Sequence, residues 1–395
     1  MQAEKIIGIR KVGIKPTIDI EVDHNKHIFY GNNIAVGNSH AYAYGVNGYL
    51  SAYIKAHFLT EFYCAWLNFA KDRKPKPKIE VQELVNEAKL NDIDIYTPDI
   101  RYMELNFHIT SPTQILFGLA NVGGIGEVTA NKFINIIKEK EKEFGKFEEW
   151  SWYKFLCLIA PEVGRTTLIN LISVGAFKHF NKSRRSMIQE ILQFKDLFKT
   201  AKKEIEWIQI HWHHYQSLID LLEGLAKPKK DGGGASSDKR RTSIDSVREM
   251  LANPKSSMED DLNEIAVTEE FLLGISITCS RSDGKPGERS NITCKEFLDG
   301  MTRPYMVFKV QIDEVKEWVI NKGNEENIGR TMAFLKISDS SCKLDNVTIF
   351  ADLYEGNEEE EIVGCKELLT VGRVLEIRAE PSKKGGLVIK EVWEI

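Results

Sequence analysis

The chain has 395 residues, 42% of them hydrophobic, which is enough for about two to four domains, each with its own core. No apolar run approaches the roughly 20 residues that cross a bilayer, and the start Met1-Gln2-Ala3-Glu4-Lys5 lacks the apolar stretch of a secretory signal. These features predict a soluble, cytoplasmic protein with no membrane contact. Six scattered cysteines without a CxxC pair exclude a zinc ribbon or a disulfide framework and read as reduced core residues. The net charge of -5 conceals a segregation: residues 119–230 carry about five more Lys and Arg than Asp and Glu, and residues 258–395 about eleven more acids than bases. A nucleic-acid surface, if present, belongs in the middle of the chain.

In chain order, residues 5–38 show short β-type runs, Lys5-Ile6-Ile7-Gly8-Ile9, Thr17-Ile18-Asp19-Ile20-Glu21-Val22, His27-Ile28-Phe29-Tyr30 and, after a Gly31-Asn32-Asn33 turn, Ile34-Ala35-Val36. So small a β-piece cannot hold a core alone and needs strands from another chain. It ends at Asn38-Ser39, where the character of the sequence changes abruptly. Asp-Ile-Glu-Val, His27-Ile28-Phe29, the Gly-Asn-Asn turn and the terminal Asn38 before Ser39 resemble the carboxy-terminal half of a split intein. The chemistry suits these residues. Ser39 Oγ is a nucleophile toward an upstream ester or thioester, and Asn38 cleaves the 38–39 bond when its side-chain amide attacks its own carbonyl to form a succinimide. A fold that holds amide and carbonyl together supplies effective molarity, and an imidazole moves the protons. The resemblance implies His27 as the assisting histidine and Asp19 as the acid aiding nucleophile activation. Many inteins place His before the terminal Asn; here it is Gly37, leaving His27, with His24 or His40 as substitutes, to assist cyclisation.

After Ser39 the sequence turns helical. Tyr49, Leu50, Tyr53, Ile54, His57 and Phe58 recur at spacings of three and four, predicting a core-facing helix. A second apolar run follows from Phe62 to Leu67. Residues 71–78 are a basic, proline-broken connector, residues 79–90 an amphipathic helix, and residues 105–110 and 114–117 a hairpin turned by Ser111-Pro112-Thr113. Four segments, Ser39-His40-Ala41-Tyr42-Ala43-Tyr44-Gly45, Tyr53-Ile54-Lys55-Ala56-His57-Phe58 with Glu61-Phe62, Thr97-Pro98-Asp99-Ile100 and Ile115-Leu116-Phe117-Gly118-Leu119, together resemble the alpha-subunit family of bacterial replicative DNA polymerase III. In that family the first of them lies late in the fingers domain. The resemblance extends over everything after Asn38 except a middle linker. Placing the junction before this Ser-His gives Ser39 a part in both splicing and the polymerase.

Residues 119–133 have the pattern of a helix-hairpin-helix. Gly123, Gly124 and Gly126 permit a tight turn, Ile125 pins it to the core, and a helix starts near Glu127. Backbone N–H groups at that helix start suit a DNA phosphate without reading sequence, with Lys132 adding charge. A second unit runs through Pro161-Glu162-Val163-Gly164-Arg165 to Val174-Gly175-Ala176-Phe177, the last of which also matches the polymerase family. Residues 183–226 read as a long helical region. Within it, Gln193-Phe194-Lys195-Asp196-Leu197-Phe198 is similar to a sliding-clamp peptide with its spacing off by a residue, and an amphipathic helix burying Phe194, Leu197 and Phe198 is the better reading. His211 and His214 share a helix face, but no Cys or carboxylate accompanies them, so no metal site is assigned.

Residues 227–254, with Gly, Ser and charge and no apolar anchor in KPKKDGGGASSDKRR, predict a mobile linker. Residues 305–320, 331–338, 346–351, 371–379 and 387–395 read as five strands, with an acidic helix-like segment at 358–369 between the third and fourth, which is the arrangement of an OB-fold barrel. Arg330 to Leu335 followed by Asn346-Val347-Thr348-Ile349-Phe350 resembles the OB domain of the same polymerase family. Single-strand binding by this acidic domain does not follow from its fold.

The expected architecture is a multidomain α+β chain: a C-terminal split-intein fragment at 1–38, the end of the fingers at 39–113, a helix-hairpin-helix and helical DNA-binding region at 114–226, a flexible linker at 227–258 and an OB-fold domain at 259–395. The expected partners are DNA, an N-terminal polymerase fragment carrying the other intein half and, weakly, a sliding clamp. No paired-Asp palm motif occurs, so the resemblance implies Mg²⁺ for the assembled polymerase, bound by the partner, and no cofactor in this chain. The competing expectation is a non-enzymatic DNA-binding or clamp-associated accessory protein.

Overall fold

The computed structural model describes residues 28–31, 34–37, 39–70, 77–322, 327–357, 361–382 and 385–395, with side chains from Tyr44 onward. It divides into two compact units, Met1–Phe62 and Tyr63–Ile395.

In the first unit, β1 (Ile28–Gly31) and β2 (Ile34–Gly37) pair antiparallel, with Ile28 opposite Gly37 and Gly31 opposite Ile34. The helix α1 (Ser39–His57) follows, then the start of α2 (Leu59–Ala70). The apolar stripe of α1 corrects the expectation of a core face. Tyr49, Leu50, Tyr53, Ile54 and Phe58 are all exposed. Tyr53 lies between Tyr49 and His57, with ring centroids 6.2 and 4.3 Å away, so the stripe packs along itself. Helical periodicity specifies an apolar face, but it does not supply the surface that covers it.

The second unit begins where α2 meets α3 (Pro77–Leu90) over buried Tyr63, Leu67, Leu84 and Val85. A three-stranded sheet follows, of β3 (Asp94–Tyr96), β4 (His108–Ser111) and β5 (Gln114–Leu116), in the order β3-β5-β4. Helices α4 (Glu127–Phe144), α5 (Trp152–Leu158), α6 (Arg165–Ser173), α7 (Arg184–Leu197), α8 (Lys202–His211) and α9 (Leu218–Ala226) form the helical body. Its centre is aromatic: Phe133, Phe147, Phe155 and Phe177 are buried together, with Phe155 and Phe177 ring centroids 5.0 Å apart.

The expected linker is in large part ordered. The helix α10 (Asp238–Ala252) is capped by Ser237, buries Ile244, and sends Arg240 onto Glu204 at 2.6 Å and onto the Leu197 carbonyl at 2.5 Å. The glycine run is a packed turn and not a spacer. A Cβ on Gly233 would stand 1.7 Å from the Lys227 carbonyl oxygen, so only glycine allows this approach. One buried isoleucine and one forked arginine anchor a segment whose composition reads as disordered.

The helix α11 (Leu262–Leu273) belongs with the helical body: Arg184 pairs with its fully buried Glu269 at 2.8 Å, and Arg185 with its Glu264 at 2.6 Å. After α12 (Cys294–Leu298) comes a closed five-stranded barrel of β6 (Met306–Val319), β7 (Thr331–Ser338), β8 (Lys343–Ile349), β11 (Val374–Pro381) and β12 (Leu387–Glu394). Antiparallel pairs close it except for the parallel β12–β8 pair, Leu387 opposite Val347. This is the OB topology. Alternate residues Phe308, Val310, Ile312, Leu335, Ile337, Leu375 and Ile377 fill its core. Between the third and fourth barrel strands lie the short helix α13 (Ala351–Glu355), ahead of the helix expected at 358–369, and a small hairpin of β9 (Gly356–Asn357) and β10 (Ile362–Val363), whose second strand falls where that helix is expected. Gly356, at φ 99°, ends α13. Of the expected segment, residues 358–360 lie outside the described residues.

Candidate nucleic-acid interface

The turn ahead of α4 is built as the glycine pattern requires. A 3-10 turn at Leu119–Asn121 is closed by Asn121 Oδ1, which accepts from the Gly118 N–H at 3.1 Å. The Ile125 N–H then donates back to the Val122 carbonyl at 3.0 Å. Gly124 occupies φ +78°, a conformation that costs other residues strain. Ile125 is buried, as are Ala130, Phe133, Ile134 and Ile137 on the inner face of α4. Gly126 forms the N-cap with extended geometry and no side-chain cap, and residues 126–129 are exposed. A helix start without a side-chain cap turns its first-turn N–H groups toward solvent, a ready site for an anionic oxygen. Lys132, one turn further on, is exposed as well.

The candidate residues fall into two groups. Gly124, Gly126 and Lys132 are on the surface, with Ile125 beneath them as the anchor. Gly123 faces inward: its N–H donates to the Leu272 carbonyl on α11 at 2.7 Å, so that N–H seats the turn and is already engaged. The charge of α4 is balanced, with Lys132, Lys138, Lys140 and Lys142 against Glu127, Glu139, Glu141 and Glu143. Backbone geometry therefore carries this site more than charge does.

The second hairpin repeats the first. Val163 is buried, Gly164 is an N-cap without a side-chain cap, and α6 starts at Arg165. Lys195 ties down the preceding turn through the carbonyls of Ala160 and Val163, the latter at 2.6 Å. Arg165 pairs with Asp196 at 2.7 Å. The two hairpins are joined by Asn170 of α6, whose Nδ2 donates to the Gly123 carbonyl at 2.9 Å. Asn170 and Leu272 were invisible to pattern reasoning because their parts depend only on contacts far apart in sequence.

Around this core the matched motifs meet. The Ile100 N–H donates to the Ala176 carbonyl at 3.1 Å, joining Thr97-Pro98-Asp99-Ile100 to Val174-Gly175-Ala176-Phe177. Burial works against ionisation of Asp99, but the hydrogen bonds and charge of Arg101, 2.6 Å away, outweigh it and hold the carboxyl below its ordinary range. Burial among Phe147 and Phe180 pushes His179 down to about 4, and neither ring nitrogen has a hydrogen-bond partner. Phe194, Leu197 and Phe198 are buried, so the clamp-like peptide keeps its aromatics in the core. The His211 ring stacks on Trp207, centroids 4.5 Å apart. Among the described residues no group of three or more His, Cys, Asp or Glu is arranged to hold a metal ion. No described helix is long and apolar enough to cross a membrane. Of the splicing candidates, Asp19, His27 and Asn38 lie outside the described residues, and Ser39 is the first residue of α1.

Paired hairpins with uncapped helix starts, followed by an OB-type barrel, define the class of the fold: a helix-hairpin-helix body joined to an OB-type domain. The family model described as "Helix-hairpin-helix motif" matches residues 92–187. The chain is 32% identical over 363 residues to DNA polymerase III subunit alpha of Deinococcus radiodurans, covering 90% of this chain and 24% of that protein. It is 29% identical over 381 residues to the subunit of the same name from Buchnera aphidicola subsp. Schizaphis graminum, covering 94% and 28%. Against that of Thermus aquaticus it is 26% identical over 333 residues, covering 82% and 23%. The chain is thus similar to DNA polymerase III alpha subunits along most of its length, and it spans about a quarter of the length of these curated relatives.

Proposed function

We propose that the chain is the C-terminal portion of a replicative DNA polymerase III alpha subunit that grips template DNA by its backbone through the Gly124-Ile125-Gly126 turn and Lys132. The observation that carries this reading is the exposed, uncapped start of α4 inside a segment matched by the helix-hairpin-helix model and similar to polymerase alpha subunits. Anisotropy with labelled duplex DNA tests it. Affinity should fall steeply with salt and depend little on sequence. Salt-independent or strongly sequence-selective binding contradicts it.

The polymerase portion starts at Ser39, and residues 1–38 are the C-terminal half of a split intein that joins it to an N-terminal fragment by trans splicing at Asn38/Ser39. Support comes from the Asp19, His27, Asn38 and Ser39 pattern and from the Ile28–Gly37 pairing, whose chain neighbours are His27 and Asn38. Mass spectrometry after mixing with a partner fragment decides between this and an inert β-cap on a DNA-binding accessory protein. Splicing releases a peptide ending in a succinimide at Asn38 and a product ligated at Ser39. Identical unligated masses from wild type and Asn38→Ala, with a competent partner, favour the accessory protein.

A second reading concerns the barrel. Trp318, Phe334 and Phe350 are exposed beside Met332 on β6, β7 and the end of β8, with Lys316 paired across from Phe334. Aromatics on this face suit stacked single-strand bases. Loss of oligo-dT binding in Trp318→Ala with Phe334→Ala, at unchanged duplex affinity, is the expected result.

A further inference from the structure

A cavity of about 480 Å³ opens between the helical body and the barrel. Its walls come from α3, β3, the turn after Gly175, the start of α7 and the Ser340-Ser341 turn. Lysine and arginine dominate its charge: Lys89, Lys178, Arg184 and Lys295 line it, against the single acid Asp94. Two of these cations are already neutralised, Arg184 by Glu269 at 2.8 Å and Lys295 by Asp92 at 3.0 Å. The other two have no ion pair among the described residues. Lys178, exposed, lies 5.6 Å from the Tyr96 ring centre, and Lys89 lines the cavity from α3 with no hydrogen-bond acceptor among the described residues. Thr278 and Ser341 give their hydroxyl protons to Glu269 and Asp339, both at 2.5 Å. The uncommitted donors in this wall are therefore chiefly the two ammonium groups.

We propose that this cleft binds a small phosphate-bearing anion, held by Lys89 and Lys178. Two ammoniums reaching one space from different elements suit a group with several anionic oxygens, which can accept from both at once. The volume is that of a small-ligand pocket and too small for a duplex. Burial also holds the Lys89 ammonium below its ordinary range, with Glu269 and Asp94 opposing that shift, so an added anion relieves a desolvated charge.

The test is calorimetric titration of the full chain with inorganic pyrophosphate at constant ionic strength, with sodium acetate as the control and a 5′-phosphorylated tetranucleotide as a second arm. Saturable pyrophosphate binding is expected, weakened by about tenfold or more in Lys89→Met and in Lys178→Met. Lys132→Met, at the hairpin, should leave it unchanged. A tetranucleotide that binds through Lys89 where pyrophosphate does not identifies a strand end as the source of the phosphate. Circular dichroism spectra and unfolding midpoints checked against wild type separate loss of a ligand from loss of fold. Neither arm binding, or binding equal in wild type and in the Lys89→Met Lys178→Met double variant, overturns the proposal. Duplex affinity in Gly126→Val, which leaves Lys89 and Lys178 in place, tests the hairpin reading separately.

Discussion

Asn170 donates its side-chain amide to the backbone carbonyl of Gly123 at 2.9 Å, and this bond ties the second hairpin to the turn of the first. The same Gly123 gives its N–H to Leu272, so a single residue is held from both sides by helices distant in sequence. Replacing Asn170 by Ala removes one of these ties and leaves a carbonyl short of a donor. A loss of about 1–2 kcal/mol in urea unfolding is expected. Duplex affinity should fall with it, because the turn loses its seat.

The two exposed glycines of the hairpin should behave differently. Gly124 sits at φ +78°, and a Cβ there would lie 3.0 Å from Asn170 Nδ2, so Gly124→Val strains the backbone and crowds the tie. A stability loss of about 1–2 kcal/mol or more is expected. Gly126 has an ordinary φ of -81° and open space around its missing side chain. Gly126→Val should keep its unfolding midpoint and lose duplex affinity, because a branched side chain then stands at the proposed phosphate contact. Unfolding curves and anisotropy on the same samples separate the two effects.

Glu269 is fully buried and accepts from Arg184 at 2.8 Å and from the Ile277 and Thr278 N–H groups at 2.7 and 2.8 Å. Arg184→Met leaves this carboxylate without its charge partner, at an expected cost of about 3–5 kcal/mol. Adding Glu269→Gln should restore part of that loss, because the stranded charge is removed. A double-mutant cycle by denaturant unfolding reads the coupling.

Acid should weaken the helical body through His179. Its folded pKa is pushed down to about 4, below the ordinary 6.5, by burial first, with Asp99 opposing and Arg101 reinforcing. The fold therefore prefers the neutral ring: its contribution is complete above pH 6.5 and is lost as pH falls from there toward 4. The loss is on the order of 1–3 kcal/mol. His179→Phe should flatten the pH dependence of the unfolding midpoint across that window.

The parts legible in the sequence are those whose signal is local. The alternation of Phe308, Val310 and Ile312 with half-exposed neighbours announces a barrel strand, and the glycines around Ile125 announce a tight turn before a helix. Other features depend on contacts far along the chain. The helix α10 is held by Arg240 against Glu204, 36 residues away, and the glycines before it read as a spacer because the carbonyl crowding Gly233 cannot be seen in composition. The stripe on α1 shows the opposite difficulty: its spacing is regular, yet its residues stand exposed. At the hairpin the turn was readable, but not the inward duty of Gly123, because that is set by Leu272.

The most direct measurement of the central claim is the salt dependence of duplex DNA affinity for wild type, Gly126→Val and Lys132→Met. The account predicts a steep log-log slope for wild type, a slope shallower by about one unit for Lys132→Met, and a loss of affinity at every salt concentration for Gly126→Val. Three superimposable salt curves from folded proteins would contradict it.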